Sequence, residues 1–425
     1  MNRKQIALLL FLLVVVAVGG LLVYTRQNDV SHAGDPAQGK KLLGDFPVND
    51  VAHIELKQDT NEVNLIKKDG TWRVRERNDY AANYQQISEF LLKLRDLKII
   101  QSEFVGPSQL QRLALVPGPG TNAALVADFK DQNEKPIQKL LLGKKHMQKS
   151  SRPSPYGDMG EGWPDGRYVK SGSQSDSVAV ISDAMANIEP KPDQWLNKDF
   201  FKVEKVRSID VAFSIATNSW KLTRETESGE WKLTDAKPNE QLDSAKTSSL
   251  SNPLGSPTFN DVETSANPAQ FGLDKSTVVT LETFDNFNYT LKLGAKTNDA
   301  YALAMSVNAN LPKERTPGKD EKPEDKTKLD KEFKDKQLKL EEKLAQEKRY
   351  EKWVYLVSSW TFDPVLKERS QLLVEPKKEE KPGSANAPAP VPPLASGVPD
   401  TNGLPGITAP LTVDTNSAPK TGGSQ

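Results

Sequence analysis

Two parts of the chain carry the same short motifs in the same order, and this repetition constrains the fold more than any other feature. Each part opens on an alternation of apolar and polar residues, at Val51–Leu56 and again at Val206–Val211, which is typical of a half-buried strand. Each part then continues through three further shared motifs. Because several motifs recur in order, the sequence predicts a tandem duplication of one β-rich unit.

The first shared motif is a turn followed by a tryptophan-bearing strand. Asp69-Gly70 and Ser228-Gly229 precede these strands, and such dipeptides supply the positive φ that tight hairpins need. Alternate residues of a strand share one face, so we predict core packing for the duplicated pairs Trp72, Val74, Trp231 and Leu233. The alternative, a pair of sugar-stacking platforms, is less consistent with their repeated position.

Two further motifs occur in both repeats. Leu113–Leu115 corresponds to Phe271–Leu273, and Leu140–Lys145 corresponds to Leu291–Lys296. The second pair contains a Leu-x-Leu-Gly-x-Lys pattern, which we interpret as a strand that ends in a glycine turn.

One helix and one charged insert interrupt the β pattern. Asn83 is suited to cap a helix in the first repeat, whereas the corresponding part of the second repeat is rich in serine. The insert contains a predicted helix from Lys326 to Arg349 with an apolar stripe formed by Leu329, Phe333, Leu340 and Leu344. This helix either packs its stripe on its own domain or forms a short coiled-coil arm for a partner.

An uncharged apolar run, Ile6–Tyr24, precedes the repeats. At 1.5 Å per helical residue it spans about 30 Å, the thickness of a bilayer core. A cleaved signal peptide is the alternative, but Gly19-Gly20 is followed by more apolar residues and no clean Ala-x-Ala site occurs there. We therefore predict a retained anchor that contacts lipid through Ile6, Phe11, Val16 and Tyr24.

The anchor also predicts a location. Arg3 and Lys4 precede the run, which favours a cytoplasmic N-terminus and an exported body. We expect a single-pass protein of the bacterial cytoplasmic (inner) membrane with most of the chain extracytoplasmic.

The predicted fold class is α+β: β-rich tandem duplicated units after a single N-terminal transmembrane helix, with a charged helical insert and a disordered C-terminal tail. The tail is rich in Pro, Ala and Gly, and it is either an inert solubilising segment or a tether. The predicted segments are a stub with the anchor at 1–26, a linker at 27–47, repeat 1 at 48–202, repeat 2 at 203–375 with its insert at 311–350, and the tail at 376–425.

Composition excludes several kinds of function. Basic and acidic residues number 57 each, and this balance argues against nucleic acid as a partner. The chain has no cysteine, and its three histidines show no metal-ligand spacing. No nucleophile elbow or phosphate-binding loop occurs. We therefore predict no enzyme activity, no catalytic or metal-binding residue and no cofactor, and we expect His53 to be a surface or cross-strand residue.

A glycine-rich loop is the strongest candidate for a contact site. Within Gly157–Gly166 we single out Gly160, Trp163 and Asp165, because exposed loop aromatics often mediate contacts. Weak Ca²⁺ binding by its carboxylates is the alternative, although the spacing is not that of an EF-hand.

The anchor, the tandem units and their motifs resemble the bacterial domain-of-unknown-function family numbered 4340, over roughly Val48 to Glu375. The resemblance implies a single-pass membrane protein with extracytoplasmic domains, often encoded beside gliding-type ABC transporter components. It implies no catalytic residues, and it does not explain the charged insert or the tail.

We therefore expect an accessory or scaffold protein that contacts the lipid bilayer through its N-terminal helix and a membrane protein partner, an ABC-type transporter component. The alternative is a module that binds envelope glycan or peptide. A hydrolase that uses dispersed carboxylates is a third and weaker hypothesis.

Overall fold

A computed structural model describes most of the two predicted repeats. The described residues are 37–147, 163–172, 177–264, 267–318 and 321–375. The predicted anchor Ile6–Tyr24, the residue Gly160 and the predicted tail all lie outside these ranges. Among the described residues, no helix combines the length and the apolar character needed to cross a membrane.

The strands are numbered β1 to β17 along the described chain. Their bounds are β1 His53–Gln58, β2 Asn61–Lys68, β3 Thr71–Val74, β4 Tyr80–Ala81, β5 Ile99–Phe104, β6 Leu125–Lys130, β7 Pro136–Met147, β8 Pro164–Ser171, β9 Ser177–Ile181, β10 Val206–Ala212, β11 Trp220–Thr223, β12 Lys232–Leu233, β13 Asp261–Val262, β14 Thr277–Thr283, β15 Phe287–Thr297, β16 Ala300–Ala309 and β17 Val354–Ser358.

These strands form two antiparallel sheets with the same internal order. The first runs β4-β3-β2-β1-β6-β7-β8-β9-β5, and the second runs β12-β11-β10-β14-β15-β16-β17-β13. Aligned from the hairpin end, the two orders match strand for strand, except that the first sheet gains β4 at its edge. The strand order thus agrees with the repetition of motifs in the sequence, and with the helices it makes the fold α+β.

The helices are few and mostly short. Their bounds are α1 Tyr84–Asp96, α2 Pro107–Arg112, α3 Ser244–Thr247, α4 Pro323–Glu347 and α5 Ser359–Phe362, with 3-10 turns at Val48–Asp50, Arg75–Arg77, Pro192–Trp195, Ala216–Asn218, Ser248–Leu250, Pro268–Phe271, Leu273–Lys275, Lys348–Lys352 and Arg369–Leu372.

Helix α1 begins where the sequence predicts. The Asn83 side chain accepts a hydrogen bond from the Gln86 amide at 3.1 Å, which satisfies one of the free N–H groups of the first turn. The buried face of α1 consists of Ile87, Phe90, Leu91 and Leu94. In the second repeat, Asp243 caps only the one-turn helix α3.

The two caps occupy equivalent places in the repeats. The Asn83 amide donates to the carbonyl of Trp195 at 2.7 Å, and the Asp243 amide donates to that of Leu372 at 2.9 Å. Each repeat is therefore closed by its own C-terminal segment, which pairs with the residues just before its helix.

The tight hairpin predicted before the first tryptophan strand is confirmed, and the one predicted before the second tryptophan strand is wrong. Asp69 and Gly70 have φ of 49° and 74°, and they join β2 to β3 in a two-residue turn. In the second repeat, residues 224–231 separate β11 from β12. Gly229 is not among the described residues with positive φ, so Ser228-Gly229 does not form the predicted tight hairpin.

The buried guanidinium of Arg224 explains why residues 224–231 form a loop and not a tight hairpin. Arg224 donates to the carbonyl of Val206 at 2.6 Å and lies 4.6 Å from the ring centroid of Trp231. Trp231 lies just before β12, and its ring packs against this guanidinium. As a result Trp231 and Leu233 are half-buried, whereas Trp72 is 5% exposed and Val74 is fully buried.

The predicted glycine turn is also wrong, because both glycines lie inside long strands. Gly143 sits within β7 and Gly294 within β15, each where the pairing shifts register as in a β-bulge. The bulge gives each glycine a close backbone neighbour: a Cβ added at Gly143 would overlap the carbonyl oxygen of Leu113, and one added at Gly294 would overlap that of Phe271. The two repeated motifs are therefore two halves of one contact.

Helix α4 packs on its own repeat. Leu340 and Leu344 lie against the hydrophobic core, while Leu329 and Phe333 are half-buried. The Lys336 ammonium contacts the carboxylate of Asp285 at 2.7 Å. These contacts favour the packed helix over the coiled-coil arm.

Candidate functional site

The two sheets meet near their outer strands through an ion pair. Arg77, just before β4, donates from Nε and Nη2 to the two carboxylate oxygens of Asp261 in β13, at 2.6 and 2.7 Å. Hydrogen bonding to Asp261 raises the pKa of Arg77. Asn78 adds a bond from Nδ2 to the carbonyl of Thr264 at 2.9 Å. A two-pronged pair of this kind fixes orientation as well as distance.

An aromatic cluster lies beside this ion pair. The Tyr80 ring of β4 meets the rings of Phe259, Trp353 and Tyr355 edge to face, with centroids 5.9, 5.1 and 6.2 Å away. Phe200, from the segment that links the repeats, is 4.6 Å from Tyr355. Burial raises the pKa of Tyr80 well above its ordinary value, so the phenol stays neutral. The junction thus combines apolar packing with a directed ion pair.

A cleft of about 560 Å³ lies over this junction, with walls from both repeats. Its basic side chains are Arg73, Lys348, Arg349 and Lys352, and its acidic side chain is Asp199. Half-buried Tyr350 and Trp353 also line it. Such a lining combines positive charge, fixed rings and hydrogen-bonding groups, which suits it to binding a polar, anionic ligand.

The predicted contact loop is described only at its base. Trp163 is 86% exposed, as expected of a contact residue. The carboxylate of Asp165 accepts a hydrogen bond from Nδ1 of His146 at 2.6 Å, so it is held by the neighbouring strand β7. Gly160 lies outside the described residues.

His53 is buried rather than at the surface, and of its two partners Asn64 lies on the neighbouring strand β2 and Glu134 lies in the turn between β6 and β7. Its Nδ1 lies 2.7 Å from a carboxylate oxygen of Glu134, and its Nε2 lies 2.9 Å from Oδ1 of Asn64. The Asn64 amide donates to Glu62 and Glu76, which fixes its orientation and leaves Oδ1 as an acceptor for His53. Bonding to His53 lowers the pKa of Glu134.

Metal-ligand clusters are not a feature of this part of the molecule. Within the described ranges, no group of three His, Cys, Asp or Glu side chains is placed to hold a metal ion. The His53 network instead links β1 and β2 to the turn that carries Glu134 and to the 3-10 turn that carries Glu76.

The cleft was missed at the sequence level. Arg73 stands between two core residues of β3, and Tyr350 and Trp353 follow the charged insert. Residues 348–353 are rich in basic and aromatic side chains, and this composition could have indicated a binding site. In the sequence they read only as the end of a helix and the start of a strand.

The described residues define a class of α+β protein in which two antiparallel sheets of matching strand order are joined through their outer strands. A family model described as a domain of unknown function, DUF4340, matches residues 72–276. This segment, from β3 of the first repeat to just before β14 of the second, carries the DUF4340 domain, and the predicted family is confirmed over it. No curated protein and no solved structure matches the chain.

Proposed function

We propose that this protein is a membrane-anchored, extracytoplasmic accessory or scaffold protein that has no enzymatic activity and works with an ABC-type transporter or envelope complex. The observation that carries the proposal is the junction between the repeats, where the Arg77–Asp261 pair and the Tyr80 cluster hold two sheets together. A preorganised body loses little conformational freedom when partners bind it. Such rigidity is what a scaffold requires.

The membrane part of the proposal rests on the sequence. The run Ile6–Tyr24 is long enough to span a bilayer, and the basic residues before it favour export of the body. The repeated strand order supports a tandem duplication as the origin of the two units. In this proposal the anchor holds the duplicated body beside its partner at the outer face of the inner membrane.

Affinity purification from membranes solubilised in mild detergent tests the proposal. We expect the tagged full chain to retain a transporter or envelope component. The matched control replaces Ile6–Tyr24 with an unrelated transmembrane helix and keeps the body, and it is expected to retain the same component. Recovery of the chain alone, under conditions that preserve other membrane complexes, would contradict the proposal.

The second candidate function is an envelope glycan- or peptide-binding module, which the 86% exposure of Trp163 favours. Trp163→Ala in a glycan or peptide pull-down discriminates between the two. If the substitution leaves all binding intact, this loop is not the binding site.

A further inference from the structure

The cleft between the repeats has a strong excess of positive charge. Four basic side chains and one acidic side chain line it, and Arg349 and Lys352 are exposed to solvent. Arg73 donates from Nη1 to the carbonyl of Asp79 at a long 3.4 Å. Charged groups gathered in a concave site focus their field on a ligand of opposite sign, so the cleft favours an anion.

The aromatic side chains of the cleft are held in place from behind. The ring of Trp353 meets Tyr80 at 5.1 Å with an interplanar angle of 77°, and Tyr350 meets Phe200 at 5.6 Å and 74°. Rings fixed in this way offer apolar surface with little loss of conformational freedom. Asn197 and Gln346 add amides that both donate and accept hydrogen bonds.

We propose that this cleft binds an anionic oligosaccharide, with a sugar ring against Trp353 and a carboxylate of the sugar at Arg349 and Lys352. The basic side chains supply positive charge, and the aromatic rings supply a surface for the apolar face of a sugar. The side-chain amides can hydrogen-bond its hydroxyl groups. An acidic peptide would use the bases but has no rigid ring to pair with Trp353. The site goes beyond scaffolding, and it does not depend on the membrane partner.

The ligand would contact both repeats at once. Arg73 and Tyr80 come from the first repeat, whereas Arg349, Lys352 and Trp353 come from the second. Because the Arg77–Asp261 pair already fixes the two sheets relative to one another, binding requires no closure of the cleft. We therefore expect association without a change in the shape of the body.

Calorimetric titration of the full chain, in a polyoxyethylene detergent that carries no sugar, tests the assignment. The probe is trigalacturonate, with maltotriose as the neutral sugar and hexaglutamate as the acidic peptide. We expect trigalacturonate to bind most tightly of the three. The double variant Arg349→Glu and Lys352→Glu should weaken its binding at least about tenfold, because each lost charged contact contributes on that order.

The matched control is the double variant Lys334→Glu and Lys339→Glu, which makes the same charge change at exposed positions of α4 outside the cleft. It should bind trigalacturonate as the unmodified chain does. An equal loss in both variants would mean that overall charge, not the cleft, governs binding, and would overturn the proposal. So would the absence of any trigalacturonate binding at millimolar concentration, or equally tight binding of hexaglutamate, which would assign the cleft to acidic peptides.

Discussion

At the scale of single residues, the molecule is organised by close backbone contacts that only glycine permits. Ala114 and Gly272 adopt φ of 54° and 67°, a left-handed conformation that turns the preceding carbonyls toward Gly143 and Gly294. In the first repeat, the backbone N–H of Lys144 donates a hydrogen bond to the Leu113 carbonyl at 2.9 Å and so stabilises this arrangement. One contact therefore explains why two separate motifs recur together in both repeats.

Gly143→Ala and Gly294→Ala should each destabilise the fold by about 1–3 kcal/mol, because the added methyl group forces the neighbouring backbone to shift. Urea unfolding measures the loss. Gly172→Ala is the matched control, since its Cβ would lie at an ordinary 3.5 Å from the Lys139 oxygen. Equal stability of Gly143→Ala and Gly172→Ala would show that the contact does not constrain the strand.

Residue patterns predicted contacts that are local in sequence and failed where a distant group intervenes. Asp69-Gly70 forms its hairpin because the positive φ of these two residues is enough to set the geometry of the turn. Ser228-Gly229 does not, because Arg224 is buried beneath Trp231. Leu-x-Leu-Gly predicted a turn because glycine commonly ends strands, whereas the neighbour that demands Gly143 lies in another part of the chain.

At the scale of elements, helix α4 is fastened by a buried carboxylate at its C-terminal end. Glu347 is 5% exposed, and its oxygens accept hydrogen bonds from the Tyr289 hydroxyl at 2.6 Å and the Lys202 amide at 3.1 Å. Burial raises the pKa of Glu347 above its ordinary value of 4.5. Its ionised form is therefore less favourable in the folded chain than in the unfolded chain.

This shift makes the contribution of Glu347 dependent on pH. A carboxyl whose folded pKa is raised stabilises the fold below its unfolded pKa, and that contribution is lost as pH rises through the folded pKa. Glu347→Gln cannot ionise but keeps an acceptor and a donor for its partners. The variant should therefore gain stability relative to the unmodified chain as the pH rises above the ordinary carboxyl pKa of 4.5.

Urea unfolding at several pH values measures this difference. Glu342→Gln, at an exposed position on the same helix, is the matched control and should show no such trend. A constant difference between Glu347→Gln and the unmodified chain across the whole range would contradict the account.

Elements with their own local signals were predictable from the sequence. Helix α1 follows from Asn83 and an apolar face, and α4 follows from a run of strong helix formers. Where α4 docks was left open, because an apolar stripe of four residues fits either a domain surface or a partner helix. Leu340 and Leu344 decide this through contacts that exist only in the folded second repeat.

At the scale of the whole molecule, matching strand order and a fixed junction make one body from two repeats. The repetition was predictable because motifs recur along the chain. The candidate cleft was not, because Arg73 and Trp353 are far apart in sequence and meet only when the two sheets join. Both the scaffold and the anionic-sugar proposals depend on this junction being rigid.

The distance between two spin labels, one on each repeat, measures that rigidity directly. The chain has no cysteine, so Lys67→Cys in β2 and Lys292→Cys in β15 place labels at two exposed strand positions without other changes. The account predicts one narrow distance distribution in pulsed dipolar spectroscopy, which broadens when Asp261→Ala removes the carboxylate that pairs with Arg77. A broad distribution in the labelled chain without Asp261→Ala would mean that the repeats move independently, and would contradict the central claim.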